Sequence, residues 1–322
     1  MDDDFLWDCA LAPACESAAR DWLVPTAEDE RAHPAFPAQS FRIAAGTAAA
    51  SIDLQVDVRE VRGPGVLDSI IGGEVWEAAL LLCAFLRHNP DLCPPSASVL
   101  ELGAGVALPT LMLLEQRKGI EGSGKLTATD NDEELLRSLS AALSSQQQQQ
   151  RQQQDVKSSV HVSVEQLDWH HPASWPDPSR FTVCIGSALC YSPDHVPALL
   201  DTLNHLLLSP NSTVGRVVVV QIADRPGFQR LLQRLPALEP RVRWNVAEVD
   251  EGVYKAATAI RHRVIATEGV GEGEGPGEEG NGVVITKRFF FDCCKDAPGL
   301  AKQLITTPRE DFVCLTLVRA EE

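Results

Sequence analysis

Apolar residues between positions 74 and 235 follow two patterns that replace each other along the chain. Short apolar runs predict buried strands, and longer stretches with apolar residues three or four positions apart predict helices. The predicted strands are 98–102, 125–130, 160–167, 181–188 and 216–223. The predicted helices are 74–88, 107–117, 131–145, 195–208 and 227–235.

This alternation of strand and helix determines the expected fold class. Strands that are apolar on both faces and separated by helices are typical of a parallel sheet that is covered on both sides. Residues 241–250 and 311–320 are two further apolar segments. We expect them to close the sheet as an antiparallel pair, so the sequence predicts one wound α/β domain.

Three segments lack the apolar positions that a core needs. Residues 1–40 are rich in alanine, proline and acids, Gln146–Gln154 has low complexity, and 268–282 combines glycine with glutamate. Segments of such composition bury too little apolar surface to offset the entropy of ordering them. We predict an N-terminal extension over 1–40 and a domain over 41–322 that contains the other two as a loop and an insertion.

Most of the formal net charge of −17 lies in these same segments. Residues 1–31 hold nine acids against two arginines, and 268–279 hold five glutamates and no base. This charge indicates solvated surface and argues against nonspecific binding to nucleic acid, which needs net basic surface. The rest of the chain is only mildly acidic.

The cysteines and the hydropathy pattern indicate a compartment. Nine cysteines at irregular spacing, without a CxxC pair, favour a reducing environment over a secreted one. The acidic start lacks the features of a signal peptide, and no apolar run reaches the ~18 residues of a membrane span. We expect a soluble protein of the cytoplasm, with the nucleus as the second compartment, and no contact with membranes.

The segment VLELGAGVALPTL, residues 99–111, joins a strand to a helix through a glycine turn. A dinucleotide fingerprint would need a third glycine where Leu108 stands, and a phosphate-binding P-loop motif is absent. Glu101, Gly103 and Gly105 remain at the carboxyl end of the strand, where open α/β sheets bind ligands. Glycines at this point let a ligand approach the backbone, or serve only to reverse the chain.

Asp130 ends the next predicted strand. A carboxylate at such a strand end can accept the two hydroxyls of a ribose. The alternative is an N-cap for the helix that follows, and one residue can serve both roles.

Five motifs, taken together, resemble a known family. In chain order they are GGEVWEAALLL, VLELGAGVALPTL, TATD, LDW and IGSALCYSPD. They are similar to the seven-strand S-adenosylmethionine-dependent methyltransferases of the small lysine methyltransferase group, the methyltransferase-like 21 kind of family 16. The resemblance covers residues 50–250 and the last strand, 313–318. It implies a Rossmann-like, mostly parallel sheet with one antiparallel strand, helices on both faces, and methyl transfer to a protein lysine.

The resemblance also implies roles for particular residues. The implied cofactor contacts are Trp76 before the first strand, the turn Gly103, Ala104 and Gly105, the ribose acid Asp130, Trp169 beside adenine, and Ser187 after the fourth strand. Tyr191 is implied as a wall of the channel that admits the acceptor lysine. Aromatic faces attract cations, which fits Trp76 beside a sulfonium, although a tryptophan on an apolar helix is as often plain core.

Two departures from the family pattern concern chemistry. Val106 and Ala107 follow the turn where the family has threonine and glycine, which adds a methyl group near the expected cofactor. Ala188 stands where the family has an acid that steers the acceptor amine. Without that acid, Ser187, Tyr191 or Asp194 would have to take over, or turnover is slow, or the acceptor is not lysine.

Three functions remain open from the sequence. The first is an S-adenosylmethionine-dependent protein methyltransferase that acts on lysine as a monomer. The second is a methyltransferase-like protein that binds cofactor or partner with weak or no catalysis, because of Ala188. The third is transfer to nucleic acid or a small molecule, which the acidic charge and the lack of an adenine-methylating proline pair disfavour. His170 and His171 are expected to be solvated loop, and no metal is expected.

Overall fold

The computed structural model describes residues 39–43, 54–58, 72–141, 143, 160–238, 241–264, 305 and 307–320. The segments predicted at Gln146–Gln154 and 268–282 lie outside these ranges. So does the extension predicted over 1–40 except for its last two residues, 39 and 40, which belong to the first strand. In the described part, no helix is long and apolar enough to cross a membrane.

The strands and helices between residues 77 and 248 follow the predicted order. The strands are β1 (Gln39–Ile43), β2 (Leu54–Val58), β3 (Val99–Leu102), β4 (Leu126–Asp130), β5 (Val162–Gln166), β6 (Val183–Ser187), β7 (Arg216–Ile222), β8 (Val242–Glu248), β9 (Arg261–Val264) and β10 (Phe312–Arg319). The helices are α1 (Glu77–His88), α2 (Leu108–Gln116), α3 (Val196–Leu208), α4 (Pro226–Arg234) and α5 (Glu251–Thr258). Residues 133–141 are also helical. The predicted helices and strands of the main sheet are confirmed.

Seven strands form the main sheet in the order β5-β4-β3-β6-β7-β10-β8. The pairs from β5 to β7 are parallel, whereas β10 is antiparallel to both β7 and β8. The predicted Rossmann-like sheet with one antiparallel strand is therefore confirmed, and 241–250 and 311–320 are the antiparallel pair that closes it.

Both faces of the central strands of the main sheet are buried, because alternate side chains of one strand enter different halves of the core. On β7, Val218 and Val220 pack with α1, α2 and α5, while Val217 and Val219 pack with α3 and α4. This explains why the strands are continuous apolar runs instead of alternating ones.

A second sheet of three antiparallel strands, in the order β2-β1-β9, was not predicted from the sequence. Its strand β2 lies against α2. The middle strand β1 pairs with β2, which follows it closely in sequence, and with β9, which lies more than two hundred residues later.

The order of the main sheet determines where a ligand can bind. The neighbours of β3 are β4 on one side and β6 on the other, so the chain winds away in both directions from β3 and β6. In open α/β sheets the helices diverge at such a switch point and leave a crevice at the carboxyl ends of the strands. Gly103, Asp130 and Ser187 lie at the ends of β3, β4 and β6, at this edge of the sheet.

Candidate active site

The turn after β3 depends on glycine at two positions. Gly103 and Gly105 have φ angles of 54° and 53°, in the left-handed region that side chains disfavour. The backbone N–H of Ala104 donates to the carbonyl of Thr129 at 2.8 Å, which joins the turn to β4. The predicted residues Gly103, Ala104 and Gly105 thus form one hydrogen-bonded loop at the switch point.

Gly72 is a part of this site that was not predicted from the sequence. A Cβ atom on Gly105 would lie 2.6 Å from the carbonyl oxygen of Gly72. A Cβ atom on Gly72 would lie 3.0 Å from Cα of Gly105 and 3.7 Å from the Asp130 carboxylate. The two backbones can approach this closely only because both residues lack a side chain. The glycine pair in the motif GGEVW was the signal for this contact.

Trp169 lies over the other side of the turn. A Cβ atom on Gly103 would be 3.0 Å from Leu189 and 3.7 Å from the indole of Trp169. The loop that carries the indole is attached to β4 by a hydrogen bond of 2.9 Å from the N–H of Leu167 to the carbonyl of Asp130. Trp169 is half-buried, so one part of the indole packs on the core and the rest is open.

The carboxylate of Asp130 already accepts three backbone N–H groups. Oδ2 accepts from Gly105 at 2.9 Å, and Oδ1 accepts from Asn131 at 2.9 Å and Asp132 at 3.2 Å. A carboxylate has about four acceptor positions, which leaves about one for a ligand. Burial raises the pKa of Asp130, although these hydrogen bonds oppose the shift.

The capping role that the sequence left open for Asp130 belongs to Asp132. Oδ1 of Asp132 accepts the N–H groups of Glu134 and Leu135 at 2.9 and 3.0 Å. These are the free donors at the start of the helical segment 133–141, which an N-cap side chain satisfies. Asp130 therefore organises the turn, and Asp132 organises the helix.

Glu101 is enclosed below the turn. It is 1% exposed, and its Oε2 accepts the N–H of Thr110 in the first turn of α2 at 3.0 Å. Burial raises the pKa of Glu101 to about 8, the hydrogen bonds from Thr110 lower it, and the Asp130 carboxylate raises it. The carboxyl group faces the start of α2 within the core, not the open crevice.

The departure at Ala107 changes the backbone more than the ligand surface. Ala107 precedes α2 with φ 55° and ψ 36°, a left-handed conformation that glycine adopts without strain. Its methyl group is fully buried in the core. The extra methyl therefore packs inside the protein and does not face the crevice.

The segment after β6 continues the same edge. Ser187 is half-buried at the end of β6, and Gly186 pairs with Leu102 of β3, which places Ser187 beside the glycine turn. Ala188 has a φ of 52°, so the chain bends sharply where the family has an acid. The buried amide of Gln221 then accepts the N–H of Cys190 at 3.2 Å and fixes the approach to Tyr191.

Tyr191 projects from this segment and is 45% exposed. Partial burial raises the pKa of its hydroxyl, and the negative charge of Asp130 raises it further. The Tyr191 ring lies 5.3 Å from the ring of His195. An exposed aromatic side chain at this position fits a wall of an entry channel.

Trp76 lies at the start of α1, shortly after Gly72 in the chain. It is half-buried at the N-cap position of α1, four residues after Gly72. Because Gly72 contacts Gly105, the start of α1 is held near the turn. Its contact with a cofactor stays a prediction.

The two adjacent histidines are exposed, as the sequence indicated, but each has a specific neighbour. Nδ1 of His171 lies 2.5 Å from the Asp168 carboxylate. Nε2 of His170 lies 3.1 Å from Nδ1 of His195. Among the described residues, no group of three or more His, Cys, Asp or Glu is placed to hold a metal ion.

Comparisons with known proteins agree with this architecture. A sequence profile of the family described as lysine methyltransferase matches residues 65–229, which is half of the chain. The protein N-lysine methyltransferase METTL21A of Danio rerio is 31% identical over 193 residues, which cover 58% of this chain and 77% of that protein.

Two EFM3 proteins match this chain over less than half of their own length. The protein-lysine N-methyltransferase EFM3 of Chaetomium thermophilum is 28% identical over 142 residues, covering 42% of this chain and 38% of that protein. The match to EFM3 of Saccharomyces cerevisiae is 26% over 166 residues and covers 46% of that protein, so the chain spans less than half of either EFM3. A solved rRNA methylase from Streptococcus thermophilus has a TM-score of 0.37 at 11% identity, with 76% of this chain and 94% of that one covered, and is too dissimilar to support an inference.

Proposed function

Because the chain belongs to the lysine methyltransferase family, we propose that it transfers a methyl group from S-adenosylmethionine to a lysine side chain of a protein. The turn between β3 and α2 is the observation that carries this proposal. It combines bare backbone at Gly103 and Gly105 with the carboxylate of Asp130 and the indole of Trp169. We further propose that the protein acts as a monomer in the cytoplasm or nucleus.

The residues of the turn fit an adenosyl cofactor. A Cβ atom on Gly103 would crowd Leu189 and touch the indole of Trp169, so only a glycine lets the turn lie this close to the indole. Asp130 has about one acceptor position left for a ribose hydroxyl, and the open part of the Trp169 indole offers an apolar face to adenine. When bound, S-adenosylmethionine would supply a methyl group activated by a positive sulfur.

The acceptor side of the site has an aromatic wall and no acid at position 188. An in-line methyl transfer needs alignment and exclusion of water more than it needs acid or base groups. A lysine side chain is nevertheless protonated at neutral pH, because its ordinary pKa is ~10.4. Tyr191 would align the amine, and the removal of its proton needs a further group.

Transfer of labelled methyl groups tests the proposal. The full chain is incubated with S-adenosylmethionine labelled in the methyl group and a lysate depleted of the native enzyme. We expect label in protein, at the Nε atom of lysine when the labelled protein is analysed by mass spectrometry. Label in RNA or small molecules only would contradict the proposed acceptor.

The alternative of a cofactor-binding protein without transfer rests on Ala188 alone. It has less support, because the relatives in the comparison are named as methyltransferases. Binding of S-adenosylhomocysteine by calorimetry, combined with no label in any fraction, would favour that alternative over methyl transfer.

A further inference from the structure

We propose that His195, paired with His170, accepts the proton that the acceptor lysine loses before methyl transfer. The inference rests on the function proposed above and assigns the group that replaces the missing acid at Ala188. None of the three substitutes named from the sequence is a histidine.

His195 lies beside the residue that borders the acceptor channel. It ends the short turn Pro193–His195, which Ser192 caps by accepting the N–H of Asp194 at 3.2 Å. The ring of His195 is 5.3 Å from the ring of Tyr191. A lysine that enters along Tyr191 would therefore pass close to this imidazole.

The hydrogen bond between the two imidazoles leaves one nitrogen of His195 open. Nδ1 of His195 lies 3.1 Å from Nε2 of His170, and the rings meet edge to face with centroids 5.4 Å apart. Only one proton can lie between these two nitrogens. Nε2 of His195 has no hydrogen-bond partner among the described residues, and the ring is half-exposed. With Nδ1 as the donor, Nε2 has a free lone pair.

A carboxylate lies beside the His170 end of the pair. The Asp168 carboxylate accepts the backbone N–H of His170 at 2.8 Å and lies within electrostatic reach of both His170 and His171. Partial burial opposes ionisation, but the hydrogen bonds from His170 and His171 hold the pKa of Asp168 below its usual value. A proton on the histidine pair would thus lie near a negative charge.

Other charged groups on the neighbouring elements do not bond to His195. The turn packs against α4, which carries Arg230 and Arg234, and against α3, which carries Asp201 and His205. In the part of the chain that the structure describes, no hydrogen bond or ion pair joins any of these four to His195, and Asp194 beside it is exposed. His170 and Tyr191 are therefore its direct partners.

The proton step balances without any other reactant. The N–H bond of the lysine ammonium breaks, the proton moves to Nε2 of His195, and the electron pair stays on the amine nitrogen. The proton then passes to water at the exposed edge. Imidazole suits this role because its ordinary pKa, ~6.5, lets it gain and lose a proton near neutral pH. The positive sulfur that S-adenosylmethionine would bring to the site also disfavours the ammonium form of the acceptor lysine, because like charges repel.

The test compares methyl transfer by the full chain at two pH values. Wild type, His195→Gln and the control His205→Gln are assayed with labelled S-adenosylmethionine and the depleted lysate. His205 is the matched control, because its ring bonds the carbonyl of Pro176 and the hydroxyl of Ser209 near the far end of α3. We expect His195→Gln to lose about a hundredfold in rate at about pH 7. The deficit shrinks severalfold by about pH 9.5, where the amine loses its proton to solvent.

Binding separates this role from a structural one. We expect the affinity of His195→Gln for S-adenosylhomocysteine to change by less than about twofold. If His195→Gln fails to fold, His170→Gln gives the same test, because it removes the hydrogen-bond partner of His195 and keeps the His195 imidazole. We expect His170→Gln to lose about tenfold in rate at neutral pH. A His195→Gln rate that equals wild type, or a deficit that is the same at both pH values, overturns the inference. No transfer by wild type overturns the proposed function, and the inference with it.

Discussion

Oδ2 of Asp130 accepts the backbone N–H of Gly105 at 2.9 Å, which ties the turn after β3 to the carboxyl end of β4. The carboxylate and the glycine turn therefore form a single hydrogen-bonded unit. Any change to the carboxylate alters both its ligand capacity and the shape of the turn.

Asp130→Asn should weaken the binding of S-adenosylhomocysteine at least about tenfold, or ~1.4 kcal/mol. An amide nitrogen cannot accept the N–H of Gly105, while the remaining oxygen can still accept from Asn131 and Asp132. Titration calorimetry measures the affinity. Asp132→Asn is the matched control, because asparagine caps a helix as well as aspartate does. Equal losses in both variants would show that charge in the loop, and not the acceptor at Oδ2, determines binding.

Glu101→Gln should flatten the pH dependence of stability between about pH 5 and pH 8. Burial raises the pKa of Glu101 from 4.5 to about 8, so in this window the folded state holds a proton that the unfolded state has lost. The free energy of unfolding of wild type then falls as pH rises through the window, by up to about 4 kcal/mol. Below about pH 4.5 both states are protonated and the contribution is fully present.

Urea unfolding at a series of pH values measures the difference between wild type and Glu101→Gln. The exposed Glu121 supplies the control Glu121→Gln, which should follow wild type. A variant curve parallel to that of wild type would mean that Glu101 does not retain its proton in the folded protein.

Gly72→Ala should destabilise the protein by about 1–3 kcal/mol and weaken cofactor binding. The new Cβ atom would lie 2.7 Å from Leu135 and 3.0 Å from Cα of Gly105, so the turn must move. Thermal unfolding and calorimetry measure the two effects. Gly215→Ala is the control, because its Cβ atom would meet nothing nearer than the Thr182 carbonyl at 3.9 Å. If Gly72→Ala bound S-adenosylhomocysteine as tightly as wild type, the close approach of the Gly72 and Gly105 backbones would not be needed for cofactor binding.

Ala188→Asp should fold normally and transfer methyl groups faster. The φ of 52° at Ala188 is a conformation that aspartate and asparagine tolerate better than alanine. We expect a stability change within about 0.5 kcal/mol and an increase in initial rate, because the carboxylate can attract the acceptor amine. Ala188→Asn has the same shape without the charge and should leave the rate near that of wild type. Equal rates in the two variants would exclude an electrostatic benefit at this position.

The main sheet could be predicted because each strand from β3 to β7 is a continuous apolar run with a helix after it. The small sheet could not, because β1 pairs with both β2 and the distant β9, and neither pairing leaves a local pattern. The left-handed conformation of Ala107 was likewise outside prediction, since local preference favours glycine there and only the surrounding core holds alanine in it.

For the site, residues at strand ends were predictable because parallel strands bring their carboxyl ends to one edge. Asp130, Gly103 and Ser187 lie at the same edge of the sheet for this reason. The contacts of Gly72 and of His195 depend on how loops fold back over that edge. Asp130 accepts the N–H of the turn and Asp132 caps the helix, and sequence spacing does not determine which of the two residues makes which hydrogen bond.

The position of β10 affects how the protein is made. This strand lies between β7 and β8, yet it is the last of the three to be synthesised. Until residue 319 has been synthesised, β10 cannot pair with β7 and β8, so β8 is not joined to the sheet. The edge of β7 that β10 will cover is meanwhile open to wrong partners. The nascent chain can assemble the ligand-binding half of the sheet early, whereas β8 can join that sheet only after β10 has been synthesised.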